Sequence, residues 1–204
     1  MRTMAGAPRV ENLYLIAGLG NPGKAYARTR HNAGFLVAEN LARRWRANWT
    51  EGKKFHVRLA RVERDDRKLL LCEPQTYMNT SGEAVRALVD YYQVPLNQVL
   101  VVMDDADLRL GEIRMRPGGS SGGHHGLESI EQHLRTREYP RLRMGIGRTE
   151  SGERRITDYV LNQFSAEERE LVEKAVDRAA DQVECWVSQG IARAMSQFNG
   201  VVTA

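Results

Sequence analysis

The sequence of 204 residues predicts an α/β fold: a single domain with a twisted, mixed β-sheet and helices on both faces. Short apolar runs alternate with amphipathic helical patterns along the chain, which is typical of strand–helix–strand units. Other runs form hairpin-like pairs with period-2 alternation, so we expect strands of both directions in one sheet. Neither an internal repeat nor a low-complexity linker divides the chain. We therefore expect one domain over residues 13–204, preceded by a flexible extension at 1–12.

Six segments are predicted to be strands. The run LYLIA is fully apolar, and KLLLCE and QVLVVMD also have the composition of buried strands. The segments HVRLARV and EIRMR alternate apolar with basic side chains, as half-exposed strands do. With RLRMGIG, the predicted strands lie at 13–17, 56–62, 68–73, 98–104, 112–116 and 141–147.

Helical periodicity predicts five helices. The first covers 34–46 and buries Val37, Leu41 and Trp45. Capping boxes predict the starts of two others, at Thr80 with Glu83 and at Ser165 with Glu168. The helix after Thr80 is expected to bury Val85, Leu88, Val89 and Tyr92, and the one after Ser165 to bury Leu171, Val172, Ala175, Val176, Ala179, Val183, Trp186 and Val187 before stopping at Gly190. A helix with Leu127, Ile130 and Leu134 is expected to stop before Pro140, and a last short one holds Ile191, Met195 and Phe198.

Composition excludes several classes of protein. No apolar run reaches the roughly 18 residues of a membrane helix, and the first residues have no secretory signal, so we expect a cytoplasmic protein. Cys72 and Cys185 lie in apolar patterns without metal-ligand spacing and are predicted to be buried thiols. The formal net charge of +4 permits a polyanionic partner without requiring one. Arginines are concentrated in one third of the chain, at 109, 114, 116, 141, 143, 148, 154 and 155.

The first loop contains the pattern G-x-G-x-x-G at Gly18, Gly20 and Gly23. A dinucleotide-binding turn would open a helix directly after these glycines. Here Pro22 and Gly23 fit a type II turn instead, and the helical period starts only about ten residues later. We therefore favour a turn that presents side chains at the end of a strand over a nucleotide site.

Polar side chains follow three of the predicted strands. Asn21 and His31 come after the first, Asn79 follows the strand at 68–73, and Asp104 ends the strand at 98–104. An Asp can orient a His that acts as general base, and Asn amides can donate to an oxyanion. Each of these residues taken alone is also compatible with a turn or a helix cap.

A glycine-rich loop with two histidines, GGSSGGHHG, follows the strand at 112–116. Such a loop before a helix can bind phosphate or cover a site as a lid. His124 and His125 are adjacent and diverge, which argues against metal binding.

In combination, these motifs resemble the bacterial-type peptidyl-tRNA hydrolase family from about residue 13 to 199. The strings GLGNPG, TYMNTSG, DDAD and RLRMGIG match that family in order and spacing. Its first signature is matched in full by Tyr26, Thr29, Arg30, His31, Asn32, Gly34 and Glu39. An ordered set of this kind is far more specific than a lone G-x-G-x-x-G.

The resemblance implies a phosphorylase/hydrolase-like fold and hydrolysis of the ester that joins a peptide to tRNA, which recycles tRNA from prematurely released chains. No metal or other cofactor is implied. His31 is then the general base that activates water, and Asp104 holds it. By the same resemblance, Asn21 and Asn79 position the substrate carbonyl and stabilise the oxyanion.

The resemblance also assigns substrate contacts. Tyr26 and Met78 would line the cleft and His124 would stand at the lid, while Arg116 and Arg143 would bind phosphates of the acceptor stem. We expect a monomer whose partner is peptidyl-tRNA, bound through its acceptor stem and peptide, and no membrane association.

The chain departs from the family pattern at two positions. The family usually has Asn where His125 stands and a basic residue where Glu128 stands. A neutral imidazole can replace an amide as a hydrogen-bonding group with a different reach, so His125 is retained as a substrate-binding candidate. We expect activity with altered affinity or pH response. Because the lid sequence is altered, an alternative function is non-catalytic RNA binding by a relative of the same fold.

Overall fold

The computed structural model describes residues 12–148 and 156–202, in which eight strands form one mixed sheet. The order across the sheet is β2-β3-β4-β1-β5-β7-β6-β8. The strands are β1 (Leu13–Gly18), β2 (Trp49–Gly52), β3 (Val57–Arg64), β4 (Arg67–Pro74), β5 (Val99–Asp105), β6 (Glu112–Arg116), β7 (Arg141–Gly145) and β8 (Gly200–Val201). The predicted extension at 1–12 lies, apart from Asn12, outside the described residues, as do Arg154 and Arg155.

Helices cover both faces of the sheet, which confirms the predicted α/β architecture. They are α1 (Ala33–Trp45), α2 (Ser81–Tyr92), α3 (His125–Leu134), α4 (Ile156–Val160), α5 (Arg169–Gln189) and α6 (Ile191–Phe198). Helices α1, α5 and α6 pack on one face, and α2 and α3 pack on the other. Within the described ranges, no helix has the length and apolar character needed to cross a membrane.

The core consists of two apolar layers, one on each side of the sheet. In β1, Ile16 faces α1 while Leu15 and Ala17 face α2 and α3, and all three are fully buried. This alternation explains why the β1 sequence is apolar throughout, because a strand covered on both faces has no exposed side. Cys72 and Cys185 are buried free thiols, as predicted.

The four central strands, β4, β1, β5 and β7, are mutually parallel. Their carboxyl ends therefore lie at the same edge of the sheet, which is where ligand sites form in open α/β sheets. The outer strands β2, β3, β6 and β8 pair antiparallel to their neighbours. The loops that follow β1 and β4 carry Asn21, His31 and Asn79 to this edge, and Asp104 reaches it as the penultimate residue of β5.

One of the two predicted capping boxes makes both of its hydrogen bonds, although α5 begins only at Arg169 and not directly after Ser165. At Ser165, the backbone N–H donates to Glu168 at 2.6 Å, and the Glu168 N–H donates back to the Ser165 hydroxyl at 3.3 Å. The capping box at Thr80 is wrong, since its hydroxyl donates to the Tyr77 carbonyl at 3.0 Å and makes no cap bond. A 3₁₀ turn at residues 78–80 lies between β4 and α2, and the bond from the Thr80 hydroxyl to the Tyr77 carbonyl closes this turn.

Other differences concern segment ends. Helix α3 stops before Pro140, as expected, but the left-handed conformation of Arg135 ends it at Leu134, so the proline is not what stops it. Tyr92 and Leu171, both expected in the core, are only partly buried. The last strand predicted, at 141–147, ends at residue 145. Strands β2 and β8 were not predicted, because both are short, partly exposed edge strands with no apolar alternation.

Glu73 is a fully buried carboxyl group at the end of β4. Its Oε2 accepts a hydrogen bond from Arg58 at 2.8 Å, whereas Oε1 has no partner among the described residues. Arg58 is shared, because it also donates to Glu39 of α1 at 2.9 Å. Burial raises the pKa of Glu73 to about 8, and the attraction to Arg58 only partly offsets that effect.

This raised pKa predicts that the fold loses stability as pH rises. Between about pH 4.3, the ordinary value for Glu, and pH 8, folded Glu73 holds a proton that the unfolded chain has lost. The free energy of unfolding should then fall by up to about 1.4 kcal/mol per pH unit in this window. Glu73→Gln retains an amide oxygen that can accept the hydrogen bond from Arg58 but cannot ionise. This variant should therefore show a weaker dependence of stability on pH. Urea unfolding at pH 5.5, 7 and 8.5 checks this, and equal slopes in the two proteins would contradict it.

Candidate active site

His31 and Asp104 meet at the carboxyl edge of the sheet. Asp104 is the penultimate residue of β5, and His31 lies in a single 3₁₀ turn just before α1. Nδ1 of His31 is 2.9 Å from Oδ1 of Asp104, and the two side chains are 11% and 3% exposed. With Nδ1 bonded to the carboxylate, Nε2 of His31 is the nitrogen left to act in the cavity that this residue lines.

His124 contacts the same carboxylate oxygen. Its Nε2 is 3.0 Å from Oδ1 of Asp104, and its Nδ1 accepts a hydrogen bond from the Leu127 N–H at 3.4 Å. Both ring nitrogens of His124 are therefore occupied, one by the carboxylate and one by the N-terminus of α3. This arrangement suits a group that orients Asp104 better than one that takes up a proton.

The two histidines control the ionisation of Asp104. Burial by itself would raise the pKa of this carboxyl group. Attraction to His124 and hydrogen bonds from His124 and His31 outweigh burial and hold the pKa of Asp104 below its usual range. A carboxylate that stays ionised can fix the tautomer of His31 and stabilise its imidazolium form.

The same three residues are potential metal ligands, since one donor atom from each of His31, Asp104 and His124 lies within 4.8 Å of the others. The 2.9 and 3.0 Å separations are hydrogen-bond distances, however, and an ionised carboxylate requires the facing nitrogens to carry protons. A protonated nitrogen has no lone pair for a metal. The expectation of a metal-free site stays a prediction.

Asn21 is held so that its amide nitrogen remains available. Its Oδ1 accepts a hydrogen bond from the Met78 N–H at 2.9 Å. Its backbone N–H donates to Oδ1 of buried Asn32 at 2.9 Å, and its backbone carbonyl accepts a hydrogen bond from Nδ2 of Asn32 at 3.0 Å. Because the oxygen of the Asn21 side chain is already used, the NH₂ group is the one that can donate to a ligand.

A cavity of about 650 Å³ brings most of the predicted site residues together. Asn79 is the exposed residue of the turn at residues 78–80, in which Met78 is buried, and it lines this cavity. The predicted residues that line it are Asn21, His31, Met78, Asn79, Asp104, His124, His125 and Arg143. Two predicted site residues, Arg116 and Tyr26, do not line this cavity. Tyr26 lies in the loop between β1 and α1, where its carbonyl accepts a hydrogen bond from the Thr29 N–H.

Close backbone contacts place His31. A Cβ on Gly34 would overlap the carbonyl oxygen of Val102 in β5 and the backbone nitrogen of Leu19. Only glycine lets the first turn of α1 approach the ends of β1 and β5 so closely. Gly23 has a φ of +103°, as the type II turn interpretation requires. Since α1 starts at Ala33 and not directly after Gly23, the geometry also argues against a dinucleotide-binding turn.

A short helix, α4, contributes Ile156, Thr157 and Val160 to one wall of the cavity. Its Ile156 and the following Leu161 are 46% and 43% exposed, and Val160 lies between them along the same wall. This helix was not predicted, because its five residues are too few to show a helical period. The spacing of Ile156 and Val160, four residues apart, was the available signal.

Arg30 joins this wall to the loop that carries His31. Its guanidinium donates to both carboxylate oxygens of Glu168, at 2.8 and 2.7 Å, and to the Gln163 carbonyl at 2.5 Å. It also stacks near the rings of Tyr159 and Phe164, 4.6 and 5.0 Å from their centroids. Arg30 matched the signature, but the sequence contained no signal for its partners, which lie more than 120 residues away.

Four arginines lie on one face of β6 and β7. Arg116 is opposite Arg141, and Arg114 is opposite Arg143, so Arg116 and Arg143 are diagonal neighbours. Arg116 is exposed and Arg143 is partly buried. Arg141 is fully buried, and the other three arginines offer a cationic surface beside the cavity that Arg143 lines.

Arg143 also anchors the glycine-rich loop. Its Nη2 donates to the Ser120 carbonyl at 2.7 Å, and its Nη1 donates to Asp105 at 3.1 Å. Fully buried Arg141 donates to the same Ser120 carbonyl at 3.1 Å and stacks on Tyr139. The loop is thus fixed at its centre by two arginines from β7.

Comparison with known proteins gives the family. The model of the peptidyl-tRNA hydrolase family matches residues 15–204. The chain belongs to the peptidyl-tRNA hydrolase family. A peptidyl-tRNA hydrolase from Geobacillus kaustophilus is 48% identical over 185 residues, which cover 91% of this chain and 98% of that protein.

Solved structures agree with this membership of the peptidyl-tRNA hydrolase family. A crystal structure of peptidyl-tRNA hydrolase from Acinetobacter baumannii superposes with a TM-score of 0.88 at 38% identity and covers 95% of this chain and 97% of that one. The 5′-methylthioadenosine nucleosidase of Arabidopsis thaliana shares the fold alone, with a TM-score of 0.55 at 7% identity, covering 87% of this chain and 96% of that one. The predicted fold class and family are therefore confirmed.

Proposed function

We propose that this chain hydrolyses the ester bond between peptide and tRNA in peptidyl-tRNA, with a water molecule activated by His31. The observation that carries the proposal is the bond between Nδ1 of His31 and buried, ionised Asp104, in a cavity that Asn21 and Asn79 share. A general base, its orienting carboxylate and two amide donors are the groups that ester hydrolysis by water needs.

In the first step, Nε2 of His31 takes a proton from water as the water oxygen attacks the ester carbonyl. The positive charge on the imidazole is stabilised by Asp104, which remains ionised. His124 keeps Asp104 in place from the other side. No serine or cysteine nucleophile is required, because the attacking atom comes from solvent.

The negative charge that develops on the carbonyl oxygen is assigned to the amide groups. Asn21 is oriented by the Met78 N–H, so that its NH₂ group can donate to the oxyanion. Asn79 lies in the same cavity and supplies the second amide. Collapse of the tetrahedral intermediate then transfers the proton from His31 to the ribose oxygen, which leaves with the tRNA. The peptide leaves as a carboxylic acid, and its remaining proton, the second one from the attacking water, is released to solvent.

Release of peptide from a defined substrate tests the activity. The wild-type protein should release N-acetylamino acid from N-acetylaminoacyl-tRNA, and it should do so without added metal or nucleotide. Quantification of the free acyl product by thin-layer chromatography measures this. Saturable tRNA binding without product would favour the non-catalytic RNA-binding alternative and contradict the proposal.

Arg116 and Arg143 are assigned to acceptor-stem phosphates, and their loss should change the salt dependence of binding. Each lost phosphate contact should reduce the slope of log affinity against log salt by about 1. Arg116→Ala should therefore weaken tRNA binding and flatten the slope, whereas Arg61→Ala, on the distant strand β3, should change neither. Filter binding at several salt concentrations measures this. Equal slopes for wild type and Arg116→Ala would refute the assignment.

We further propose that the protein acts as a monomer in the cytoplasm. All proposed site groups come from one chain, so the cavity needs no contribution from a second copy. Sedimentation at micromolar concentration should give the mass of one chain of 23.1 kDa.

A further inference from the structure

Arg143, which is assigned to a phosphate of the acceptor stem, is already paired with a carboxylate of its own chain. Its Nη1 donates to Oδ2 of Asp105 at 3.1 Å, and the side chains of Arg143 and Asp105 are 23% and 10% exposed. Asp105 is the last residue of β5, and both residues line the cavity. Asp105 therefore places a negative charge where the substrate brings another one.

A local turn holds Asp105 in this position. Its Oδ1 accepts a hydrogen bond from the Asp107 N–H at 2.8 Å, which leaves Oδ2 for Arg143. The guanidinium group of Arg143 also donates to the Ser120 carbonyl at 2.7 Å. Its other N–H groups make no hydrogen bond in the described part of the chain. A phosphate can therefore bind Arg143 either beside Asp105 or in its place.

The neighbouring strand β6 shows a similar pairing. Arg114 donates to Glu112 at 2.8 Å, whereas Arg116 has no acidic partner among the residues that the structure describes. Of the three solvent-accessible arginines on this face, two are therefore compensated by carboxylates. The pair of Arg143 with Asp105 is the less exposed of the two, so salt screens it less.

Both ways of binding a phosphate to Arg143 lower the affinity for tRNA. A phosphate that displaces Asp105 breaks a largely buried ion pair and leaves the carboxylate without its cation. A phosphate that binds beside Asp105 is repelled by it, since two negative charges a few ångströms apart repel each other even in water. In either case Asp105 reduces the attraction between Arg143 and tRNA.

We infer that Asp105 is an affinity-determining residue: its carboxylate competes with an acceptor-stem phosphate for Arg143 and keeps tRNA binding weak enough for the cleaved tRNA to leave. The inference rests on the proposed function, because it takes Arg143 as a phosphate contact. Tight binding of the tRNA product would slow turnover, since product release then limits the rate. Asp105 thus lowers affinity and favours turnover.

Asp105→Asn tests the inference because it removes the charge and retains the shape. The amide oxygen can still accept the hydrogen bond from the Asp107 N–H, so the turn should persist. In filter binding of deacylated tRNA at low salt, the dissociation constant should fall by about three- to tenfold. The slope of log affinity against log salt should become steeper by up to about 1. Deacylated tRNA should also inhibit turnover more strongly, by the same factor.

Two further variants show whether the effect depends on Arg143. Asp107→Asn removes an equal charge, but Asp107 pairs with Arg148 in an exposed ion pair that water and salt already screen. It should change the affinity for tRNA by less than about twofold. Arg143→Gln retains a donor for the Ser120 carbonyl and removes the cation. In that background Asp105→Asn should tighten tRNA binding much less, because no cation remains there to hold a phosphate.

The remaining outcomes would overturn the inference. An unchanged dissociation constant and slope for Asp105→Asn would show that Asp105 does not compete. Weaker binding by an Asp105→Asn protein that is folded by far-UV circular dichroism would show that Asp105 positions Arg143 for the phosphate. An equal gain with Arg143→Gln, or from Asp107→Asn, would show a general charge effect.

These outcomes are separate from a failure of the proposed function. The dissociation constants are measured with deacylated tRNA, and they require no ester cleavage. A wild-type protein that binds tRNA but releases no acyl product would overturn the proposed hydrolysis and leave the measured competition for Arg143 unchanged.

Discussion

Replacing His31 by alanine should lower the rate of ester cleavage by about 10²–10⁴-fold, the range expected when a general base is removed. The loss should fall on kcat, because the groups proposed to bind and polarise the substrate, Asn21, Asn79 and the arginines of β6 and β7, are unchanged. Single-turnover release of acyl product from N-acetylaminoacyl-tRNA measures the chemical step, and filter binding measures the affinity for tRNA.

His56→Asn controls for the loss of a histidine elsewhere on the surface, and its rate should match the wild type. A His31→Ala variant that cleaves at the wild-type rate would exclude His31 as the base. A variant that loses tRNA affinity to the same extent as rate would show that His31 acts in binding.

Replacing Asp104 by asparagine should cost up to about 10⁴-fold in kcat, the loss seen when a carboxylate that orients a catalytic histidine is neutralised. The amide has nearly the same shape, so the fold should persist, but the charge shared by His31 and His124 disappears. An amide NH₂ facing Nδ1 would also favour the wrong tautomer of His31.

Single-turnover kinetics measure this effect, with far-UV circular dichroism to establish that Asp104→Asn is folded. The control is Asp90→Asn, which removes a carboxylate that pairs with Arg86 on the exposed side of α2. A folded Asp104→Asn variant with near wild-type kcat would contradict the role of Asp104 and leave His31 without an orienting group.

The sequence predicted the parts of this fold that are dominated by burial. β1 and β5 are covered on both faces, so their composition alone identified them as strands. The box at Ser165 and Glu168 was predictable because both partners lie within one turn. The absence of the capping box at Thr80 was not predictable. Its hydroxyl can bond either the start of α2 or the turn at residues 78–80, and only the folded geometry shows that it bonds the Tyr77 carbonyl of that turn.

The site was predictable to the extent that it lies at strand ends. His31, Asn21, Asn79 and Asp104 could be grouped because parallel strands place their carboxyl ends together. The bond between His124 and Asp104 was not predictable, since it depends on how the glycine-rich loop folds back to the end of β5. The hydrogen bonds from Arg30 to Glu168 were likewise not predictable, because these two residues are 138 positions apart in the sequence.

Chemical rescue of His31→Ala by imidazole tests the central claim most directly. The cavity of about 650 Å³ has room for a free imidazole in place of the deleted side chain, beside Asp104. If His31 activates water, added imidazole should raise the single-turnover rate of His31→Ala in proportion to its concentration, and it should not accelerate Asp104→Asn in the same way. A rate for His31→Ala that stays at its low value at all imidazole concentrations, with tRNA still bound, would contradict the account.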